Sequence, residues 1–118
     1  MINNTIHLLK SYRELTGVAL QDMATLIGID TGNLSKIEHG KLEPNILVIL
    51  SYHLILKIPI EKLFKYQYPE TIKSCLRNSL ALKDELIPEV QKPHIKKRIT
   101  QIDTIIDRLV ILDKEYVN

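Results

Sequence analysis

Apolar residues recur along most of this chain at intervals of three and four, the spacing of helices that bury one face. Leu20, Met23, Ala24 and Ile27 fall at i, i+3, i+4 and i+7 and define one side of a short helix. Gly28 follows directly, where a helix end favours a residue that tolerates the left-handed conformation. Ile29 can fill the space between two helices, and Asp30 is a good N-cap for the next one. That helix is anchored by Leu34 and Ile37 alone, while its opposite edge carries Gly32, Ser35, Lys36 and His39. A helix held by two apolar anchors and polar elsewhere is built to present that polar face. DNA is the first candidate for what it meets.

The same reading extends in both directions. Residues 5–16 form a first helix, with Ile6, Leu9, Tyr12 or Arg13, and Leu15 or Thr16 at helical spacing, ended by Gly17. Residues 45–56 form another, and Pro59 opens a short helix with Ile60, Leu63 and Phe64. Residues 66–68 read as a connector. Pro69 then opens a helix striped by Ile72, Cys75 or Leu76, Leu80, and Leu86 or Ile87. Pro88 and Pro93 bracket a break, and residues 93–116 give a last helix of about 36 Å. Its Ile95, Ile99, Ile102, Ile106 and Leu109 step by four and three, the heptad seam of a coiled coil. The seam falters at Asp113 and resumes at Tyr116. Ile105, Leu112 and Val110 widen the apolar face beyond a two-stranded zipper, so a bundle is expected, with this helix against its predecessor and a second subunit.

Residues 5–65 resemble the helix-turn-helix domain of the lambda-repressor and Cro class, which includes small XRE-type regulators. Arg13, Met23-Ala24, Gly28-Ile29, residues 34–38 (LSKIE), Gly40-Lys41, Pro44 and Leu63-Phe64 carry the resemblance. It implies an all-α chain: a five-helix DNA-binding domain over residues 1–65, followed by a two-helix association segment over 66–118. It implies that Thr31, Gly32 and Lys36 read base edges, with Ser35 close by. Lysine can donate to the guanine O6 and N7 acceptors in the major groove, which makes Lys36 the strongest candidate. His39 shares this face, and a merely solvated helix face is the alternative for both residues. The resemblance also pairs Arg13 with Glu38; buried, such a pair costs about 3–5 kcal/mol to break. Ile46, Ile49, Leu50, Tyr52, His53 and Leu56 would point inward. Leu26, Leu47, Val48 and Leu54 stand where relatives are polar, so a second subunit or the C-terminal segment is expected to cover them.

The second helix departs from the family at its start, with Ala19 and Leu20 in place of a hydroxyl cap and an amide. Gln21 is the substitute phosphate donor. Asn33 is expected to meet sugar-phosphate, and Lys41 and Asn45 to fix register on the backbone.

Composition narrows the rest. The chain has 118 residues, 45% of them hydrophobic, with one Phe and no Trp, so its core is aliphatic. Its single cysteine rules out an internal disulfide and fits a reducing cytoplasm. The N-terminal MINNTIHLLK has neither a basic start nor a long apolar run, so no signal peptide is expected. The four histidines and Cys75 lack metal-ligand spacing, and no cofactor motif or catalytic frame is present. The formal net charge is only +2, so non-specific attraction to DNA should be modest. Tight binding then calls for more than one copy. The expected function is sequence-specific regulation, as a repressor, by a dimer or higher oligomer on two-fold-related double-stranded DNA. The alternative is an interaction module, such as an antitoxin, whose C-terminal helices bind a partner protein.

Overall fold

The structure is a computed structural model that describes residues 6–116. It is all-helical, with seven α-helices and no strand among the described residues. They are α1 (Leu9–Thr16), α2 (Leu20–Ile27), α3 (Thr31–Glu38), α4 (Ile46–Leu56), α5 (Ile60–Leu63), α6 (Gln67–Leu86) and α7 (Pro93–Tyr116), with a 3₁₀ turn at Ile87–Glu89. The chain divides into two compact units between Gln67 and Tyr68, two residues beyond the boundary expected from the sequence.

In the first unit, Leu9, Met23, Ala24, Ile27, Leu34, Ile37, Val48, Tyr52, Leu56 and Leu63 form one buried cluster. Burying a side chain of Leu or Ile size contributes roughly 1.5–3 kcal/mol, so these residues hold five short helices together. Helix propensity alone would not, because eight-residue helices are marginal in water. The helix ends follow local chemistry. Gly28 closes α2 in the left-handed region at φ 92°. Asp30 caps α3 by accepting from the Asn33 amide at 3.0 Å, and Asn45 caps α4 by accepting from the Val48 amide at 3.0 Å.

Three expectations need correction here. First, α1 starts at Leu9, not at residue 5, which lies outside the described residues. The Leu8 amide donates to the Leu63 carbonyl at 2.8 Å, so tertiary bonding replaces another helical turn. Second, neither Leu15, 77% exposed, nor Thr16, also exposed, extends the inward face of α1. Third, α4 turns differently about its axis. Val48 is fully buried beside Tyr52 and Leu56, whereas Ile46 is 68% and Leu50 41% exposed. The cause is composition: ILVILSYHLIL is apolar on every side, so its periodicity has almost no contrast. Leu26, Leu47 and Leu54 are exposed within the single chain. His53 is half-buried, and its Nδ1 donates to the Ile58 carbonyl at 2.8 Å.

His7 links the segment before α1 to the end of α3. Its Nε2 donates to the Ile37 carbonyl at 3.0 Å, while Nδ1 accepts from the Leu9 amide at 3.4 Å. Both ring nitrogens are thus occupied in the neutral form, and a second proton on Nδ1 would face another donor. Burial lowers its pKa from 6.5, outweighing the opposing pull of the Ile37 carbonyl, Glu38 and Glu43. Below pH 6.5 the unfolded chain therefore binds a proton that the folded chain resists, and stability falls as pH drops through that window. A His7→Gln chain, which keeps a donor for Ile37, is expected to flatten this part of a urea-midpoint profile between about pH 5 and 7.

The second unit is a hairpin of two long helices. Leu86, Ile95 and Ile102 are buried together, with Ile99 and Ile106 packed against them, and Ile72 is buried at the far end of α6. Pro69 is the third residue of α6 rather than its first; its missing N–H falls where a first-turn donor has no helical partner anyway. Cys75, placed on the apolar stripe by its spacing, is exposed. The break in the α7 seam also has a cause: Asp113 pairs with Lys73 of α6 at 3.5 Å. At the next seam position, the Tyr116 ring meets Tyr68 with centroids 5.0 Å apart.

Candidate nucleic-acid interface

The turn between α2 and α3 is set by Gly28 and Asp30, and the two helices pack on each other. With Leu34, Ile37 and Glu38 buried, α3 is anchored along one edge. Gly32, Asn33, Lys36 and His39 are exposed on it, and Thr31 and Ser35 are half-buried. The sequence therefore placed the polar residues of α3 together, and the structure holds them on one helix.

What fixes that helix is a buried network. Arg13 of α1 meets Glu38, the last residue of α3, with Nε donating to Oε2 at 2.7 Å and Nη2 to Oε1 at 2.9 Å. Its remaining terminal nitrogen donates to the Val18 carbonyl at 2.9 Å. The Glu38 carboxylate also accepts from the Tyr52 hydroxyl of α4 at 2.5 Å. Side-chain exposure is 9% for Arg13 and 1% for Glu38, so this is a desolvated, fully bonded ion pair rather than a surface contact. The hydrogen bonds that Arg13 donates to Glu38 raise the Arg13 pKa, and burial followed by the same carboxylate raises that of Tyr52. Three helices thus converge on one carboxylate at the C-terminal end of α3.

Tyr52 was read from the sequence only as an inward position, and its hydroxyl role was missed. Nothing in spacing marks a tyrosine 14 residues away as a partner of Glu38. Lys10 was missed as well. Its Nζ lies 3.5 Å from His39 Nε2, and His39 Nδ1 donates to the Ser35 carbonyl at 2.7 Å. His39 is therefore tied back onto its own helix and is less available to bases than its exposure implies. The signal for Lys10 was present: it lies three residues before Arg13, on the side of α1 that meets the end of α3.

Two features of the face have local explanations. Gly32 lacks a Cβ that would come within 3.0 Å of the Asp30 carboxylate, so its absence leaves the cap undisturbed. Gly40 adopts φ 79°, and a Cβ there would come within 2.9 Å of the Ile6 side chain. Directly after this turn, Lys41 is exposed. Neither Lys36 nor Lys41 has an ion-pair partner among the described residues. Asn45 is exposed too, but its side-chain oxygen serves as the α4 cap, so only its amide nitrogen remains for an anion. Gln21 is exposed in the first turn of α2, and Ala19 provides no side-chain cap there.

A pair of helices joined by a glycine turn, the second offering unpaired polar groups, defines a helix-turn-helix DNA-binding domain. Residues 9–63, from the start of α1 to the end of α5, match the family described as helix-turn-helix, of the XRE type. That match spans just under half of the chain, and the family comprises DNA-binding regulatory domains and not enzymes. The C-terminal helices lie outside the match. Neither a curated protein nor a solved structure matches the chain significantly. Among the described residues, no helix is long and apolar enough to cross a membrane.

Proposed function

We propose that the protein is a sequence-specific repressor that binds a two-fold-related operator as a dimer or higher oligomer. The observation that carries this is α3 itself, on which Lys36 is exposed and without an ion-pair partner among the described residues, Thr31 and Ser35 are half-buried, and Arg13, Glu38 and Tyr52 brace the helix from behind. In this reading Lys36 and Thr31 contact bases, with Ser35 close by. Gly32 leaves its position on that face without a side chain. Gln21, Asn33, Lys41 and Asn45 contact sugar-phosphate and fix register, and they carry no sequence information directly.

The low charge favours two copies. With a formal net charge of +2 over the whole chain, counterion release from one domain supplies little affinity. Two domains on one site approximately combine their contacts, and a symmetric dimer reads half-sites separated by about one helical turn of DNA, 34–36 Å, or a multiple of it. Selection of binding sites from random duplex DNA tests this directly. An enriched inverted repeat is the expected result, and a pool that remains random would sink the proposal. A reporter gene carrying the selected site should then be expressed less strongly when the protein is present.

A further inference from the structure

The dimer reading above leaves open which surface joins the copies, and the hairpin narrows it. The isoleucine seam that the sequence offers for association is largely consumed within the chain. Ile95 and Ile102 are buried against Leu86, with Ile99 and Ile106 packed beside them. A second copy must therefore use another face. We propose that it docks on the groove flanking that seam, centred on Leu82 and Ile105, to form a four-helix bundle. This rests on the dimer reading and adds the surface to it.

Helical spacing separates the two flanks of the hairpin. On α6, Lys73 and Leu80 lie to one side of Ile72, and Cys75, Asn78 and Leu82 to the other. On α7, Asp103 and Val110 lie to one side of Ile102, and Ile105 and Leu112 to the other. The interhelical ion pairs Lys73–Asp113, at 3.5 Å, and Lys83–Asp103, at 2.6 Å, involve residues at the seam and on the first flank. The second flank holds a groove of about 420 Å³, lined by Cys75, Asn78, Ser79, Leu82, Ile105 and Leu109, with no charged residue among them. The two interhelical ion pairs thus lie away from the groove, while Arg98, one heptad before Ile105, falls on its flank beyond the lining residues.

Three arguments make the occupant a second copy of this chain. The first is shape. An isologous interface needs a patch that complements itself. Here the groove lining pairs the small side chains Cys75 and Ser79 with the larger Leu82 and Ile105. Leu82 lies two turns, about 10 Å, along α6 from Cys75. A two-fold axis between them sets each copy's Leu82 against the other's Cys75 and Ser79. The second is size. Helix α6 has 20 residues, about 30 Å, and two helices at ordinary spacing present a face roughly 20 Å wide. That is about 600 Å² per copy and 1,200 Å² in total, above the roughly 1,000 Å² of a specific interface. The third is need. In this unit only Ile72, Leu86, Ile95 and Ile102 are buried among the described apolar residues, a thin core for some 50 residues, where association is a usual remedy.

The test uses the full chain, sedimentation equilibrium, and the chain's one cysteine, which lines the groove and is exposed in the single copy. The wild type should be a dimer whose Cys75 reacts slowly with a maleimide at high concentration and faster on dilution. Ile105→Glu should weaken association about 100-fold or more, the effect of an unpaired charge at an interface centre. Its helical circular dichroism should be unchanged and its Cys75 fast-reacting at all concentrations. Leu80→Glu, on the other flank and already 48% exposed, should remain dimeric. A dimer that survives Ile105→Glu with unaltered affinity overturns the docking surface but leaves the dimer reading standing. A wild type that stays monomeric overturns both. Should Ile105→Glu fail to fold, wild-type Cys75 decides: protection that fades on dilution supports the surface, and concentration-independent reactivity overturns it.

Discussion

Glu38→Ala is expected to lower folding stability by about 3–5 kcal/mol, read as a large fall in the urea midpoint with the slope unchanged. The substitution leaves the Arg13 guanidinium, of which only 9% of the side chain is exposed, without its counter-charge. It also removes the acceptor for the Tyr52 hydroxyl. Small domains have only about 5–15 kcal/mol of net stability, so much of this one should unfold. Tyr52→Phe isolates one part of the network. It removes one hydrogen bond to a charged group and should cost roughly 1.5–3 kcal/mol. Arg13→Ala should resemble Glu38→Ala, and the double variant should cost much less than the two single losses added, because the partners act as one unit. A Glu38→Ala loss below about 1 kcal/mol would put the pair in the class of surface ion pairs and remove the brace from this account.

Lys36→Ala is expected to alter which bases the protein prefers while leaving its fold intact. A lysine donating to guanine O6 and N7 discriminates by about 1–3 kcal/mol. The variant should therefore bind its best operator about 10- to 100-fold more weakly and lose preference at one base pair of each half-site. Lys41→Ala should behave differently, weakening binding evenly across sequences and reducing the salt slope by about one per domain. Gel shifts on the selected operator and its single-base variants, at several salt concentrations, separate the two. If Lys36→Ala weakened every sequence equally, Lys36 would be a backbone contact, and base reading would shift to Thr31 and Ser35.

Much of this architecture was legible from short-range chemistry. Helix α2 could be read because its apolar residues contrast with their neighbours, and its end because a glycine stands where φ is 92°. The start of α3 followed from Asp30, which caps it as expected. The bounds of α7 were also legible, with Pro93 at one end and the seam running to Tyr116. Where contrast was missing, the reading failed. Helix α4 is apolar all round, so its inward face was assigned to Ile46 and Leu50 instead of Val48. The first turn of α1 was extended too far because helical spacing cannot register that the Leu8 amide bonds to Leu63.

By itself, then, the sequence determined the order of the helices, the Gly28 turn and Asp30 cap that join α2 to α3, and the polar character of the α3 face. These depend on residues within about one or two turns of each other, and local spacing records them. Only the tertiary structure decided how α4 is rotated, that Tyr52 completes the Arg13–Glu38 pair, and that His39 is tied to Ser35 and approached by Lys10. It also decided that the isoleucine seam of α7 closes largely on its own hairpin. Each of these depends on which of several compatible faces is buried, and that choice minimises exposed apolar area and unpaired charge over the whole unit at once. No local pattern encodes it. The helix-turn-helix frame was accordingly visible in the residues, while the brace that holds its reading helix in place was only half visible.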